Sequence, residues 1–235
     1  MKKIIKNTFL ILIGFVILAG LVIGGIGYNY YQEALENTPL KEKVEEIRKD
    51  KNYAKIEELP KIYIDAVIAV EDKRFHEHKG IDPISLGRAI VNDIKTMSFA
   101  EGGSTITQQL AKNIYFTQKK QIVRKVAEAF MAIEIEKNYD KNEILELYLN
   151  TSYFGDGCYT VKEATNHYFN KEPSEMTDYE ATLLAGVPNA PSVYAPTKNL
   201  ELAHRRQKQV LNKMVENGSL TEKQAEKIEL EAYNK

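Results

Sequence analysis

The stretch EGGSTITQQLAKN, residues 101–113, has the composition of a loop that turns directly into a helix. Its two glycines permit unusual backbone angles, and Thr105 with Gln108 has the spacing of a capping box. The free N–H groups and the positive dipole end of such a helix terminus form an anion site. Gln108 and Lys112 share one face, so phosphate and sugar hydroxyls could be held together. The G-x-x-x-x-G-K-[ST] pattern of nucleotide P-loops is absent, and an ordinary capped helix with a polar outer face is the alternative.

The segment EDKRFHEHKG, residues 71–80, precedes this loop and begins with a glutamate. We predict a helix over residues 63–76, in which Glu71 continues the apolar face of the preceding turns. A carboxylate in partly apolar surroundings has its charged form disfavoured, so its pKa moves toward the range useful for proton transfer. A surface Glu71 paired with Arg74 is one alternative. A metal cluster is another, although the H-x-H spacing points the imidazoles away from each other; its members are Glu71, Asp72, His76 and His78.

A third stretch, KKQIVRKVAEAFMAIEIEK at residues 119–137, predicts a helix with a cationic face. Arg124 and Glu128 are spaced i, i+4, which by itself predicts a solvated pair worth a few tenths of a kcal/mol. A cation cluster with one carboxylate is also what a diphosphate leaving group requires. The apolar residues expected to face the core are Ile122, Val126, Phe130 and Ile133.

The rest of the chain after residue 59 also has helical periodicity. Apolar residues recur every three or four positions, and strict alternation is rare, so we predict a mainly α domain. Asp82 and Asp140 have the sequence context of helix N-caps, and Gly218 that of a helix stop. A further helix is expected to open at Thr221.

The first thirty residues differ in composition from the remainder. Residues 9–27 contain no charged side chain and are long enough, as a helix, to span the roughly 30 Å hydrocarbon core of a bilayer. Lys2, Lys3 and Lys6 precede this run, which predicts a cytoplasmic N-terminus. A cleaved signal peptide is the alternative, but its apolar region is usually shorter and no convincing A-x-A site follows.

These features predict a chain organised in four parts. Residues 1–8 form a cytoplasmic N-terminus, 9–27 a transmembrane helix and 28–58 a juxtamembrane stalk. Residues 59–235 form an extracytoplasmic domain large enough for one core. We therefore expect a single-pass protein of the cell membrane.

Composition excludes several classes of protein. The 235 residues have a formal net charge of −1, which gives no indication of nucleic-acid binding. One cysteine, Cys158, can build neither an intrachain disulfide nor a CxxC redox site.

In this order the stretches closely resemble the motifs of glycosyltransferase family 51, the transglycosylase domains of penicillin-binding proteins and their monofunctional relatives. EDxxFxxHxG at residues 71–80 resembles the first motif, and GSTITQQLxKN at 103–113 matches the second. RKxxE at 124–128 resembles the third and KxEILExYLN at 141–150 the fourth. A looser fifth, with two arginines, lies at 205–211. The second motif is long and specific, so chance agreement is negligible.

The resemblance implies a lysozyme-like, two-lobed helical domain around a cleft, in which lipid II is polymerised into glycan strands. Undecaprenyl pyrophosphate leaves with inversion at the anomeric carbon. Glu71 is then the general base acting on the acceptor hydroxyl. Glu128 organises the donor, either directly or through a divalent cation (Mg²⁺ or Mn²⁺), although the sequence requires no cofactor. The region between the first two motifs, near residues 84–99, belongs in the family to a lobe that dips into the membrane.

The resemblance also implies the residues that bind substrate. Lys112, Arg124 and Lys125 are the clamp for the pyrophosphate, where negative charge grows as the bond breaks. Lys120 stands where the family more often has arginine, and lysine lacks the bidentate fork. The residues expected to position sugars and phosphates are Ser104, Thr105, Gln108, Gln109 and Asn113.

The expected partners are lipid II, the growing glycan strand, the bilayer and other proteins of cell-wall synthesis. No S-x-x-K, S-D-N or K-T-G motif is present, so we expect a monofunctional enzyme without transpeptidase activity. Two alternatives stay open: a lysozyme-like peptidoglycan hydrolase or lytic enzyme, which also relies on a cleft glutamate, and a non-catalytic scaffold of wall assembly.

Overall fold

The structure, a computed structural model, describes residues 2–96, 102–116 and 121–231. Lys120 and residues 97–99, at the end of the region between the first two motifs, lie outside the described residues. The helices are α1 (Lys2–Asn37), α2 (Leu40–Arg48), α3 (Lys61–Glu71), α4 (Pro83–Thr96), α5 (Ile106–Tyr115), α6 (Gln121–Asn138), α7 (Lys141–Leu149), α8 (Val161–Phe169), α9 (Asp178–Gly186), α10 (Pro191–Tyr194), α11 (Leu200–Glu216) and α12 (Glu222–Glu231). Short 3₁₀ turns occupy Ile56–Glu58, Pro173–Glu175 and Val187–Asn189. The described ranges contain two isolated β-bridges and no strand, so the predicted mainly α class is confirmed.

The helix starts follow the capping residues that the sequence predicts. Thr105 accepts a hydrogen bond from the backbone N–H of Gln108, and the Gln108 side chain accepts one from the backbone N–H of Thr105, each at 3.1 Å. Asp140 forms the same reciprocal box at the start of α7. Asp82 accepts from two N–H groups of the first turn of α4. Each such cap satisfies backbone donors that the helix itself leaves without partners.

Helix α3 is shorter than predicted, because it ends at Glu71 rather than near residue 76. Asp72 leaves the helical conformation with φ −158° and ψ 76°. Its carboxylate accepts from the backbone N–H of Ile106 at 3.0 Å and lies 2.8 Å from Nε2 of His78. These contacts join the end of α3 to the start of α5. The predicted helix was therefore wrong past Glu71, since contacts distant in sequence overrode its local periodicity.

The residues before position 59 contribute to the domain core. Tyr31, Leu40, Val44 and Ala54 are buried in the main hydrophobic cluster together with side chains of the later helices. Helix α1 packs along α6, and the Tyr28 and Phe130 rings meet edge to face with centroids 5.2 Å apart. The domain boundary near residue 59 stays a prediction. The predicted stalk, residues 28–58, supplies side chains to the core.

The apolar N-terminal helix is long enough to cross a membrane. Residues Lys6–Asn37 contain a window with a mean hydropathy of 2.9, none of which is buried in the structure. A signal sequence would share these properties, so the finding is compatible with a single-pass anchor without establishing one. Helix α1 continues to Asn37 without a break, beyond the end predicted for the membrane segment.

The apolar face of α6 does not pack as predicted. Ile122, Phe130 and Ile133 are exposed, and the side chains that α6 buries include Ala127, Met131 and Ile135. Helix α6 is apolar on two sides, and helical spacing alone does not show which side meets the core. The exposed side continues the apolar surface of α1.

Gly80, in the loop between α3 and α4, provides a test of how closely this loop packs against α6. Its φ is +89°, and an added Cβ would lie 2.8 Å from the backbone carbonyl atoms of Ala132. We expect Gly80→Ala to lower the free energy of unfolding by about 1–3 kcal/mol or more, because strained backbone and a backbone clash combine. Gly87, inside α4 with open space around it, is the control, and Gly87→Ala should be neutral or stabilising by up to about 1 kcal/mol. Thermal unfolding of the detergent-solubilised full chain measures both, and equal stability of the two variants would contradict the packing.

Candidate active site

A polar cleft of about 440 Å³ opens between the end of α3, the loop before α5, helices α5 and α6, and the α9–α11 region. Most of the residues predicted for the site lie here. Those that line the cleft are Glu71, Ser104, Gln109, Lys112, Arg124, Lys125 and Glu128.

Glu71 is the last residue of α3 and is largely withdrawn from solvent. Gln109 donates from Nε2 to its Oε2 at 2.8 Å, while its Oε1 has no accessible surface and no hydrogen-bond partner among the described residues. Burial raises the pKa of Glu71, and the hydrogen bond from Gln109 and the charges of Arg206 and Lys112 oppose that rise. The negative end of the α3 dipole further disfavours the carboxylate. Such a group is suited to accept a proton.

Asp72 and His78 form a buried pair behind Glu71. Desolvation raises the pKa of Asp72, and the charge of His78 and the N–H of Ile106 oppose this. The pair joins the first motif to the start of α5, directly beside Glu71. His76 points into solvent instead. In the part of the chain that the structure describes, no three His, Cys, Asp or Glu side chains are grouped to hold a metal ion.

Glu128 lies at the centre of the cationic side of the cleft. Arg124 Nε is 2.9 Å from its Oε1 and Lys125 Nζ is 2.8 Å from its Oε2. Lys125 also donates to the hydroxyl of Ser104 at 2.6 Å. Glu128 is only 1% exposed, so the pair is buried rather than solvated as local spacing predicts. Because both oxygens already face cations, the site as it stands does not fit a divalent ion at Glu128.

Three residues predicted to bind substrate lie outside the cleft lining. Thr105 and Gln108 are buried in the capping box of α5, and the Thr105 hydroxyl also donates to the carbonyl of Gly80 at 2.6 Å. Asn113 is exposed on α5 away from the cleft. Lys120 lies outside the described residues.

The cleft also contains residues to which the sequence assigned no role. Arg206 of α11 and the turn residues Pro188 and Asn189 close the side opposite to α6, with Val70 and Gly102 completing the lining. In the sequence, only the arginine pair of the fifth motif indicated that Arg206 could belong to the site. Sequence spacing alone does not show which of the two arginines points inward.

An apolar groove of about 620 Å³ adjoins the cleft. The two share Gly102, Ser104 and Lys125, so the groove begins at the cationic side. Its other lining residues are mainly apolar and come from α4 and α6, among them Leu86, Ile122, Phe130 and Ile133. Phe130 also contacts Tyr28, so the groove leads from the cations toward the apolar helix α1.

Comparison with known protein families adds an independent result. The sequence model of a family described as "Transglycosylase" matches residues 37–215. Penicillin-binding protein 1F of Bacillus subtilis is 47% identical over 170 residues, which cover 72% of this chain and 24% of that protein. Penicillin-binding proteins 1A of Neisseria flavescens and Aquifex aeolicus are each 44% identical, over 73% and 78% of this chain and 21% and 25% of theirs. The chain thus spans about a quarter of the length of these curated relatives.

Among solved structures, penicillin-binding protein 1A from Haemophilus influenzae is 26% identical. The match covers 52% of this chain and 15% of that chain, with a TM-score of 0.36.

The burial of Glu71 predicts a pH-dependent effect of Glu71→Gln on stability. A raised folded-state pKa means that the wild type loses stability as pH rises from the ordinary glutamate value through the folded-state value. The glutamine variant has no such loss. Its free energy of unfolding should therefore rise relative to that of the wild type across this pH window, and the relative value should be constant above it. Thermal unfolding of both proteins at a series of pH values measures the difference. A free energy of unfolding of Glu71→Gln that falls, or stays constant, relative to that of the wild type as pH rises would contradict the burial of the carboxylate.

Proposed function

The chain belongs to the transglycosylase family, and we propose that it is a peptidoglycan glycosyltransferase that polymerises lipid II into glycan strands. The observation that carries the proposal is the largely buried carboxylate of Glu71 in one cleft with Lys112, Arg124 and Lys125. It combines a proton acceptor with a binding site for an anionic leaving group. Transfer from a lipid diphosphate to a sugar hydroxyl needs both.

In the proposed reaction Glu71 accepts the proton of the acceptor 4-hydroxyl. The acceptor oxygen forms the new bond at the anomeric carbon, and the bond from that carbon to the diphosphate oxygen breaks with inversion. Undecaprenyl pyrophosphate leaves with the electron pair of the broken bond. Gln109 holds the receiving carboxylate in one orientation through its hydrogen bond to Oε2, which favours proton transfer along one direction.

The cations stabilise the charge that develops on the leaving diphosphate. Arg124 and Lys125 are fixed by Glu128, so they require little reorganisation when the charge grows. The Ser104 hydroxyl accepts a hydrogen bond from Lys125 and can bind the same phosphate. In this proposal Glu128 acts directly, as an organiser of the two cations, and no metal ion is invoked.

The apolar groove supports a lipid-linked substrate. A polyprenyl chain attached to a diphosphate at Lys125 would find an apolar path along α6 toward α1. With α1 as a single-pass anchor and its N-terminus in the cytoplasm, the catalytic domain would lie on the extracytoplasmic side, next to the bilayer that holds the substrate. We propose lipid II, the glycan strand, the bilayer and other wall-synthesis proteins as partners.

The same cleft weighs against the two alternative functions. A lysozyme-like hydrolase cleaves a neutral glycosidic bond and has no need of three cations beside the glutamate. A non-catalytic scaffold has no need of a largely buried carboxylate held in one orientation by Gln109. We assign no transpeptidase activity to these 235 residues, because they contain no S-x-x-K, S-D-N or K-T-G motif.

The proposed base predicts a loss of polymerisation in Glu71→Gln. Removing a general base lowers the rate by about 10²- to 10⁴-fold. Glu77, an exposed glutamate of the same motif, is the matched control, and Glu77→Gln should keep the wild-type rate. Labelled lipid II in detergent, followed by gel separation of the glycan chains, measures the rates. Full activity of Glu71→Gln would refute the base assignment, and shortening of preformed glycan by the wild type would favour the hydrolase.

The groove predicts that Ile122→Ser weakens the use of lipid-linked substrate. Ile122 is 68% exposed, so the change should leave stability nearly unaltered while raising the KM for lipid II. Leu200, also exposed but remote from the groove, is the control. Initial rates at a series of lipid II concentrations measure the effect. A KM equal to that of Leu200→Ser would show that the groove does not hold the lipid chain.

A further inference from the structure

The hydrogen bond between Gln109 and Glu71 depends on which end of the Gln109 amide faces the carboxylate. Nε2 of Gln109 donates to Oε2 of Glu71 at 2.8 Å. A side-chain amide has donors on its nitrogen and acceptors on its oxygen, and a half-turn of the amide group exchanges their places. With the oxygen turned toward Glu71, an acceptor would face a carboxylate, and the carboxylate would lose its donor. A contact at the other end of the amide can therefore determine its orientation.

Tyr148 of α7 provides such a contact. Its hydroxyl donates to Oε1 of Gln109 at 3.4 Å. Turning the amide would take this acceptor away from a buried phenol proton, which costs free energy. The distance is long for a hydrogen bond between two oxygens, so we expect it to select the orientation of the amide while adding little strength of its own. Glu71, Gln109 and Tyr148 thus form a series of three side chains from α3, α5 and α7.

Tyr148 remains a donor throughout the pH range in which a carboxyl group titrates. The residue is 1% exposed. Burial raises the pKa of Tyr148 well above its ordinary value, the negative charge of Glu71 adds to the rise, and the nearby Ser152 hydroxyl opposes it. Tyr148 therefore keeps its proton whether Glu71 is charged or neutral.

Helix α7, which carries Tyr148, is itself fixed by two side chains of the fourth motif. Glu146 accepts a hydrogen bond from the backbone N–H of Ile56 at 2.7 Å, and Asn150 accepts one from that of Ala54 at 2.8 Å. Asn150 also donates to the carbonyl of Ala54 at 2.7 Å. These contacts involve neither Gln109 nor Glu71, so loss of the Tyr148 hydroxyl should leave the helix in place.

Tyr63 is a second buried tyrosine of the same region. It lies on α3, about two turns before Glu71, and its hydroxyl is buried without a hydrogen-bond partner among the described residues. Tyr63 contributes to the raised pKa of Tyr148, so the two phenols are neighbours. Tyr63→Phe removes a buried hydroxyl from this region while the contacts from Tyr148 to Glu71 stay intact. It is therefore the matched control for Tyr148→Phe.

We propose that Tyr148 is a positioning residue, whose hydroxyl holds the oxygen end of the Gln109 amide so that the nitrogen end donates to Glu71. The inference rests on the proposed function, because that function makes Glu71 the proton acceptor. The described residues that line the cleft include Glu71 and Gln109 but not Tyr148, so Tyr148 acts through Gln109 rather than on the substrate. Its effect is to keep a donor on one carboxylate oxygen of Glu71.

Tyr148→Phe tests the proposal, since it removes the phenol proton and keeps the ring. The Gln109 amide then has no fixed orientation, and the hydrogen bond that lowers the pKa of Glu71 is weakened, so this pKa rises. We expect kcat for polymerisation to fall by about 2- to 10-fold on the acidic side of the pH profile, the usual effect of one neutral hydrogen bond. The loss should shrink as pH rises, because Glu71 is then charged in both proteins. The KM for lipid II should not change, and Tyr63→Phe should keep the wild-type profile.

Two results of this comparison would overturn the proposal. A purely structural role would lower the kcat of Tyr148→Phe equally at all pH values, and a missing contact would give Tyr148→Phe the same profile as Tyr63→Phe. Neither substitution alters the other charged groups around Glu71, so these groups cannot produce a difference between the two variants. They are Asp72, Lys112, Arg124, Lys125, Glu128 and Arg206.

The pH dependence of unfolding separates this proposal from the proposed function. The free energy of unfolding of the full chain in detergent is measured with and without Glu71→Gln in three backgrounds: wild type, Tyr148→Phe and Tyr63→Phe. With Tyr148→Phe, the gain from Glu71→Gln should extend to higher pH and reach a larger constant value, because the folded-state pKa of Glu71 is higher there. A gain equal to that with Tyr63→Phe would overturn the proposal. A larger gain in a protein that does not polymerise lipid II would contradict the proposed function and support the contact of Tyr148 with Gln109.

Discussion

A carboxylate removed from water must be held by its surroundings, and the arrangement around Glu71 follows from that requirement. Helix α3 ends at Glu71, and Asp72 leaves the helix to accept the N–H of Ile106, which brings α5 alongside. Gln109 of α5 is then placed to donate to Glu71 Oε2, leaving Oε1 buried with no protein donor. Burial raises the pKa of Glu71, and the first two motifs together hold this carboxyl group in place, as the proposed general base requires.

The charges around Glu71 are arranged in two ways. On α6, two cations share the buried Glu128, which fixes them in place but also offsets part of their charge. At the other side of the cleft, Arg206 is fixed by packing rather than by an acid. The apolar groove begins where Lys125 meets Ser104 and runs toward α1. Under the proposed function, the diphosphate head of the substrate would lie in the polar cleft and its apolar tail in the adjoining groove.

Local structure such as the helix caps was predictable from the sequence, and contacts between residues distant in sequence were not. The caps at Thr105 and Asp140 follow from side chains three residues apart, so their spacing suffices. The proximity of Glu71, Lys112 and Glu128 was inferred from the family resemblance, because residue spacing does not predict how three helices pack together. Helix α3 ends earlier than predicted because the Asp72 side chain accepts a hydrogen bond from the backbone of Ile106, 34 positions away. Helical periodicity placed Ile122 in the core because it shows only that one face of the helix is apolar. It does not show whether that face packs against the core or is exposed.

The central claim, that this cleft transfers a sugar from a lipid diphosphate to a hydroxyl, is tested most directly by stoichiometry. Lipid II labelled in both the sugar and the lipid is incubated with the full chain in detergent, and new glycosidic bonds and released lipid diphosphate are counted together. The account predicts one undecaprenyl pyrophosphate released for each bond formed, with chains that lengthen. Release of reducing sugar ends from preformed glycan, with the lipid diphosphate still attached to lipid II, would contradict it.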